Sequence, residues 1–289
     1  MNRLRVMLIG APLPLPLRER AGVRGIAHAE SDAPCATDLN EQAEIEYDTA
    51  DDVDAADALL TGSAAQPDVI VLAQDWPGRF ETSAIERLRR LAPLARIWRR
   101  LGTWCEGELR SGKLYPGTLR AYWHQWTPRW QRQLARWRGR ACPVWGQPLT
   151  AVEEENWLAD AQPENRRSGL VVVRAAAKET ATALADACRS HGYDTATVPP
   201  GQAAQFSSAT ATLWDATAEQ AADAELVQRL SRQAGGAPIV ALLSFPRGEH
   251  CDRAMAAGVA AVIAKPLLLE DLFWYLDRLA ASPGAKSKT

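Results

Sequence analysis

The second half of the chain alternates between short apolar runs and longer segments with helical spacing. The apolar runs are LVVV, YDTATV, ATATLW, PIVALLSF and VAAVIAK. The segment between the first two runs places Leu184 and Cys188 on one face, and the last segment places Leu272, Leu276 and Leu279 on one stripe. Strand and helix alternation with such long connections predicts parallel strands covered by helices on both faces. Functional residues of such folds gather at the carboxyl ends of the strands.

The first half repeats this plan with insertions. RVMLIG, EIEY and PDVIVLA predict strands, and TSAIERLRRLAPLARI predicts an amphipathic helix. Residues 11–40 show little periodicity and are interpreted as an insertion, and the turn-rich residues 141–167 as a connector with a capping box from Thr150 to Glu153. We therefore expect a first domain over 1–140, a second over 168–282, and a disordered tail at 283–289.

Composition is that of a globular protein, with 47% apolar and 24% charged residues and a net charge of −2. The charges are segregated: residues 27–78 contain no lysine or arginine, whereas residues 85–140 are strongly basic. Complementary faces of one domain are the favoured explanation, and a nucleic-acid surface is the alternative.

Cysteine and histidine usage argues against metal and disulfide chemistry. The five cysteines are scattered, no CxxC motif occurs, and the four histidines do not cluster with them. The apolar start of the chain is broken by Pro12, Pro14 and Pro16, so it is interpreted as a strand rather than a signal peptide. We expect a cytoplasmic protein with no membrane segment.

One stretch carries a family resemblance. AMAAGVAAVIAKPLLLEDLFWYL combines Ala-x-x-Ala-Gly, a strand ending in Lys-Pro and a leucine-rich helix. It resembles the end of the receiver domain of two-component response regulators. The resemblance covers residues 168–282 and, more weakly, 1–140. It implies two flavodoxin-like (CheY-like) doubly wound α/β domains, each with a five-stranded parallel sheet.

The resemblance also implies a set of site residues. In receivers, an acidic pair after the first strand binds Mg²⁺, and an aspartate ending the third strand accepts a phosphoryl group. A hydroxyl residue and a lysine contact that group, because its charge must be neutralised. In the second half these positions are Arg174 and Ala175 for the acidic pair, Asp215 for the acceptor, Leu243 or Ser244 for the hydroxyl and Lys265 for the lysine.

A cation at the metal-ligand position predicts that the second half binds Mg²⁺ poorly. Arg174, Asp215 and Lys265 form a charge cluster in this interpretation, and a structural ion pair is favoured over a working acceptor. The first half departs further from the receiver pattern. Its counterparts are Gly10 and Ala11 for the acidic pair, Ala73 for the acceptor, Thr103 for the hydroxyl and Gln125 for the lysine, with Asp75 two residues beyond the acceptor.

Tryptophan and arginine are concentrated in one region. Eight of the eleven tryptophans lie between Trp98 and Trp157. Core packing explains most of these rings, but tryptophan and arginine are also enriched at binding hot spots. The candidates for an exposed contact surface are Trp98, Arg99, Arg100, Trp104 and Trp126, with Trp98, Arg99 and Arg100 favoured.

The favoured function is a non-catalytic signalling protein made of two pseudo-receiver domains that binds another protein, such as a histidine kinase or a response regulator. It is expected to need no cofactor and not to be an enzyme. The first alternative is a response regulator phosphorylated on Asp215, which requires Mg²⁺. The second is a nucleic-acid-binding regulator that uses the arginine- and tryptophan-rich region. Homodimer formation stays open.

Overall fold

The structure is a computed structural model that describes residues 3–10, 45–63, 65–108, 112, 115–151, 155–156, 168–202 and 204–281. The chain divides into two compact units. Among the described residues, the first unit holds 3–156 and the second holds 168–281. Each unit contains one five-stranded parallel sheet, so the predicted α/β class with two such sheets is confirmed.

The sheet of the first unit has the strand order β2-β1-β3-β4-β5, and all its pairings are parallel. Its strands are β1 (Leu4–Ile9), β2 (Ile45–Ala50), β3 (Val69–Gln74), β4 (Arg96–Leu101) and β5 (Leu119–Tyr122). Its helices are α1 (Val53–Gly62), α2 (Thr82–Leu91) and α3 (Trp123–Arg138), and 3-10 turns occur at Thr103–Cys105 and Val144–Gly146.

Both faces of the first sheet are buried, as parallel sheets require. One face of β1 presents Met7 and Ile9 to the apolar sides of α1 and α2. The opposite face packs against α3, whose Trp126 and Trp130 lie in the same core cluster as Trp98 of β4. The alternation of β1 residues between these two clusters follows from the two-residue period of a strand.

The sheet of the second unit has the order β7-β6-β8-β9-β10, again with parallel pairings. Its strands are β6 (Leu170–Arg174), β7 (Asp194–Thr197), β8 (Ala211–Asp215), β9 (Ile239–Ser244) and β10 (Ala261–Lys265). Its helices are α4 (Lys178–Ser190), α5 (Ala218–Ala221), α6 (Ala224–Gln233), α7 (Gly248–Ala256) and α8 (Leu269–Ala281).

The two sheets share one topology, because each has the order 2-1-3-4-5 when its own strands are counted in sequence. This is the order of flavodoxin-like folds, in which ligands bind beyond the carboxyl ends of the strands. The connection between the second and third strands differs between the units. The β2–β3 connection contains α1, whereas the described residues of the β7–β8 connection, 198–202 and 204–210, form no helix.

Ion pairs between helices account for part of the charge segregation. Arg87 of the basic helix α2 forms ion pairs with Asp54 and Asp57 of the acidic helix α1. The two helices also share a core cluster, which includes Val53 of α1 and Leu88 of α2. Acidic and basic stretches therefore meet inside one unit.

Several predicted features fall outside the described residues. These are the insertion at 11–40, the Glu153 end of the capping box predicted from Thr150, and the tail at 283–289. Residues 141–151 of the predicted connector are described and belong to the first unit, where Val144 is fully buried in the core. Among the described helices, none has the length and apolar character needed to cross a membrane.

Candidate functional site

The predicted site residues of the second unit meet at one edge of its sheet. The carboxyl ends of four strands lie there, and each strand ends in one of these residues. The residues are Arg174 ending β6, Asp215 ending β8, Ser244 ending β9 and Lys265 ending β10.

Asp215 and Lys265 form an ion pair at this edge. The Lys265 ammonium donates to the Asp215 carboxylate, and both side chains are mostly shielded from solvent. Ser244 pairs with Lys265 in the strand register but is exposed, while Leu243 before it is buried. The carboxylate that corresponds to the receiver acceptor is therefore already occupied by a cation.

Arg174 does not join this pair, so the predicted cluster of three charges is wrong. Its Nη2 donates to Gln233 Oε1 at 2.9 Å, and no carboxylate lies within ion-pairing distance among the described residues. Its Nε is buried and has no acceptor in the described part of the chain. Burial lowers the pKa of Arg174, because desolvation disfavours the charged guanidinium.

A pocket of about 210 Å³ opens beside Arg174. Asp215, Gln220 and the turn at Pro199–Gly201 contribute to its wall. Apolar side chains form most of the rest, namely Val198, Trp214, Leu226 and Leu230. This is where flavodoxin-like folds place their ligands, beyond the carboxyl ends of neighbouring strands.

The corresponding edge of the first sheet carries no reactive carboxylate at the acceptor position. Ala73 is buried in β3, and Asp75 lies in the loop beyond the strand. Arg79 closes this loop: its Nη1 donates to Ala73 O at 2.8 Å and to Asp75 Oδ2 at 2.7 Å. Its guanidinium also lies over the Trp76 ring, 4.9 Å from the centroid.

Gly10 allows this close arrangement. It has a φ of +110°, and a Cβ added to it would lie 2.9 Å from Ala73 O and 3.3 Å from Arg79 Nη1. A side chain is therefore excluded where β1 ends. Counting placed Gly10 and Ala11 at the positions of the receiver acidic pair; Gly10 lies against the backbone of Ala73, and Ala11 lies outside the described residues.

The strand register corrects the alignment of the two units by one residue. Ile9 pairs with Leu72, the residue before Ala73, and Arg174 pairs with Trp214, the residue before Asp215. Ile9, and not Gly10, is therefore the counterpart of Arg174. A core isoleucine in one unit corresponds to a buried cation in the other.

Two further positions of the first unit do not match the expected ones. Gln125 lies in the first turn of α3, three residues beyond the end of β5, and its Oε1 accepts from Tyr122 N at 3.3 Å. By the strand register through Ala73 and Asp215, Trp123 and not Gln125 is the counterpart of Lys265. Thr103 begins the 3-10 turn after β4, whereas Ser244 is the last residue of β9.

The expectation that Trp98 and Arg99 are exposed is wrong. Both lie in β4, a central strand, and are 0% and 1% exposed. Trp126 is also buried, with its ring centroid 5.1 Å from that of Trp98, and Arg100 is only partly exposed. Of the five candidates, Trp104 alone is well exposed, at 70%.

Arg99 instead belongs to a buried polar network that the sequence did not reveal. Its Nη2 donates to both carboxylate oxygens of Glu108, at 2.9 and 2.8 Å, and to Gln74 Oε1 at 2.7 Å. Gln74 Nε2 donates to Glu108 Oε1, and the Cys105 thiol donates to Gln74 O. Burial raises the pKa of Cys105 to about 11, so this thiol is not an activated nucleophile. The available signal was the presence of three arginines in the buried strand β4, RIWRRL.

No group of three or more histidine, cysteine, aspartate or glutamate side chains arranged to hold a metal ion occurs in the ranges that the structure describes. The polar groups at the two sheet edges are dominated by guanidinium and ammonium groups. These repel a divalent cation rather than bind it.

Neither a family model nor a curated protein matches the chain. A solved structure of the E. coli RcsC C-terminus, with linker region and phosphoreceiver domain, is 14% identical over 97% of this chain and 93% of that chain, with a TM-score of 0.31. An NAD-dependent formate dehydrogenase from Staphylococcus aureus is 12% identical over 96% and 93%, with a TM-score of 0.26. At TM-scores this low, the likenesses carry no argument about function.

Proposed function

We propose that the chain is a non-catalytic signalling protein built from two receiver-like domains without phosphoryl-transfer competence. The observation that carries the proposal is the guanidinium at the edge of the second sheet. Arg174 ends the strand from which receivers supply their Mg²⁺ ligands, and no carboxylate lies within ion-pairing distance of it among the described residues. Phosphoryl transfer to a carboxylate needs a metal ion to neutralise the incoming charge, and a guanidinium at this edge opposes its binding.

The first unit supports the same proposal. Ala73 offers no acceptor oxygen in its side chain, and the nearby Asp75 carboxylate is held by Arg79. Ile9 ends β1 where a metal-binding carboxylate would be needed, and Gly10 leaves no room for one directly after it. This edge keeps the receiver-like strand order without the groups that the chemistry requires.

A protein that cannot transfer phosphoryl groups can still act in signalling by binding another protein, and this is the activity that we propose. The contact surface that we propose is centred on Trp76 and Trp104, which are 54% and 70% exposed. They follow β3 and β4, which are neighbouring strands, so both rings lie at the carboxyl edge of the first sheet. Exposed tryptophans on one edge are the residues most enriched at protein-binding hot spots.

Phosphorylation of Asp215 is the rival function, and the retained Asp215–Lys265 pair favours it. The nucleic-acid alternative has less support. Its arginines were expected on the surface, but Arg99, Arg129 and Arg132 are each at most 4% exposed. Phosphate contacts need accessible cations.

The proposal is tested with beryllofluoride and Mg²⁺ on the full chain, followed by ¹H–¹⁵N NMR spectra. We expect no saturable, Mg²⁺-dependent shifts in the amides of β8 and β10. Saturable shifts that disappear in Asp215→Ala, but persist in the matched Asp194→Ala variant at the exposed start of β7, would establish the phosphorylation rival.

The contact surface has its own test. A photo-crosslinking amino acid is placed at position 104 and, as a control, at the buried position 126 in cell extract. We expect a discrete crosslinked protein from position 104 only. The absence of a product at 104, or equal products at both positions, contradicts the proposed surface.

A further inference from the structure

Arg174 is a buried charge without a counter-ion. It is 8% exposed, and among the described residues its guanidinium makes one hydrogen bond, to the neutral side chain of Gln233. Buried charges in proteins are normally paired or bind ions, because desolvation of an unpaired charge is costly. The cost of burying Arg174 therefore needs an explanation beyond packing.

Asp215 does not supply the missing negative charge. It lines the same pocket, but its carboxylate is engaged by Lys265, and it lies beyond ion-pairing distance of Arg174. The three side chains together carry a net charge of +1. Since Lys265 neutralises Asp215, the guanidinium of Arg174 is the one charge in the pocket wall that has no counter-ion among the described residues.

The pocket opens beside a connection that forms no helix over its described residues. In the first unit, α1 packs its Val53 and Leu60 into the same core cluster as Ile9, the counterpart of Arg174. In the second unit, the β7–β8 connection crosses β6 as an irregular segment over its described residues, and Val198–Gly201 form one wall of a cavity. Ile9 is a core residue in the first unit, whereas its counterpart Arg174 lines a cavity in the second.

The rest of the wall selects the kind of ligand. Trp214, Leu226 and Leu230 offer apolar surface, and Gln220 is a neutral hydrogen-bonding group beside it. A mostly apolar pocket with a few placed polar groups is typical of small-molecule sites. The guanidinium fork matches the geometry of a carboxylate.

We propose that this pocket binds a small organic monoanion, a carboxylate with a compact apolar body, and that Arg174 holds its carboxylate. The ligand's apolar part packs against Trp214 and the α6 leucines. This inference is independent of the proposed signalling function, because it requires neither phosphorylation nor a protein partner.

Isothermal titration of the full chain with benzoate tests the proposal, with acetate and inorganic phosphate as comparison ligands. We expect saturable binding of benzoate, weaker binding of acetate, and binding of phosphate no tighter than that of acetate. Arg174→Met should weaken benzoate binding at least about ten-fold, the effect of losing a charge-assisted hydrogen bond. Arg229→Met, at an exposed position on the same helix that lines the pocket, should leave it unchanged.

A second variant separates loss of the site from loss of the fold. Leu226→Phe fills the pocket while it leaves the guanidinium in place, and it should also abolish benzoate binding. Unchanged affinity in either Arg174→Met or Leu226→Phe overturns the proposal. So does the absence of saturable binding of benzoate to the wild type, or tighter binding of phosphate than of benzoate.

Discussion

The strands β1 and β6 end at the same place in two sheets of identical order, yet one presents Ile9 and the other Arg174. In the first unit, α1 and α2 cover this position, and Ile9 is part of the core. In the second unit, the described β7–β8 connection has no helix, and Arg174 lines a cavity. The edge whose crossover connection contains a helix is packed, and the edge whose described connection contains none has a pocket.

The two sheet edges also differ in how their cationic side chains are paired. At the first edge, Arg99 is bound by Glu108 and Gln74 and Arg79 is bound by Asp75, while the buried Nε of Arg100 has no acceptor in the described part of the chain. The second edge pairs Lys265 with Asp215 and leaves Arg174 with a neutral partner. A satisfied network stabilises the fold by itself, whereas an unpaired cation that lines a cavity, as Arg174 does, marks a place where a ligand can add stability.

The largest loss of stability is expected from disrupting the Arg99 network at the first edge. Glu108→Ala removes the carboxylate that neutralises Arg99 and leaves a buried, unpaired guanidinium. Loss of one partner of a buried ion pair costs about 3–5 kcal/mol. Urea unfolding followed by tryptophan fluorescence measures this cost, because most of the eleven tryptophans lie in the first unit.

The matched control for Glu108→Ala is Asp186→Ala, which breaks the exposed ion pair with Arg189. Exposed pairs contribute less than about 1 kcal/mol, so the control should change the free energy of unfolding only slightly. Equal losses in the two variants would mean that the Arg99 network does not hold the first edge together.

A gain of stability is expected when Arg174 at the edge of the second sheet is replaced. Arg174→Ile installs the residue that the first unit has at this position and removes a buried charge that lacks a counter-ion. Relief of a buried unsatisfied group is worth about 1–3 kcal/mol. Hydrogen exchange of the β6 and β8 amides should slow in the variant, while that of the β1 and β3 amides stays unchanged.

A benzoate-dependent version of this measurement adds a second readout. Excess ligand should slow exchange in the wild type and have no effect on Arg174→Ile, since only the wild type has the cation. Faster exchange in Arg174→Ile without ligand would show that the arginine stabilises the empty pocket. It would contradict the expectation that the unpaired charge of Arg174 destabilises the second edge.

The fold class followed from the sequence because its signals are local. Apolar runs of strand length and helical stripes such as Leu272, Leu276 and Leu279 are set by the periodicity of each element, and the structure bears them out. Long connections between the strands then require parallel pairing. Asp215 and Lys265 were also placed correctly at strand ends, because both follow clear apolar runs.

The details of the sites did not follow, because they depend on contacts between distant segments. Arg99 was expected on the surface, since nothing in its neighbourhood shows that Glu108 and Gln74 surround it. Counting residues placed Gln125 at a strand end, although β5 ends at Tyr122 and α3 begins at once. The pocket beside Arg174 depends on the path of the β7–β8 connection, which carries no periodic signal.

The smallest effect is expected from the loop of the first edge. Arg79→Met removes the hydrogen bonds to Ala73 O and Asp75 and the contact with the exposed Trp76 ring. The pair is partly exposed, so we expect a loss of about 0.5–1 kcal/mol in urea unfolding, against no measurable change for Arg90→Met on the exposed side of α2. The variant should not bind benzoate at the first edge, because Ile9 occupies the position that Arg174 has in the second unit. The same titration is repeated on a chain that carries both Arg79→Met and Arg174→Met. Benzoate binding to this double variant would show that an open sheet edge binds benzoate without a buried cation, and would contradict the role given to Arg174.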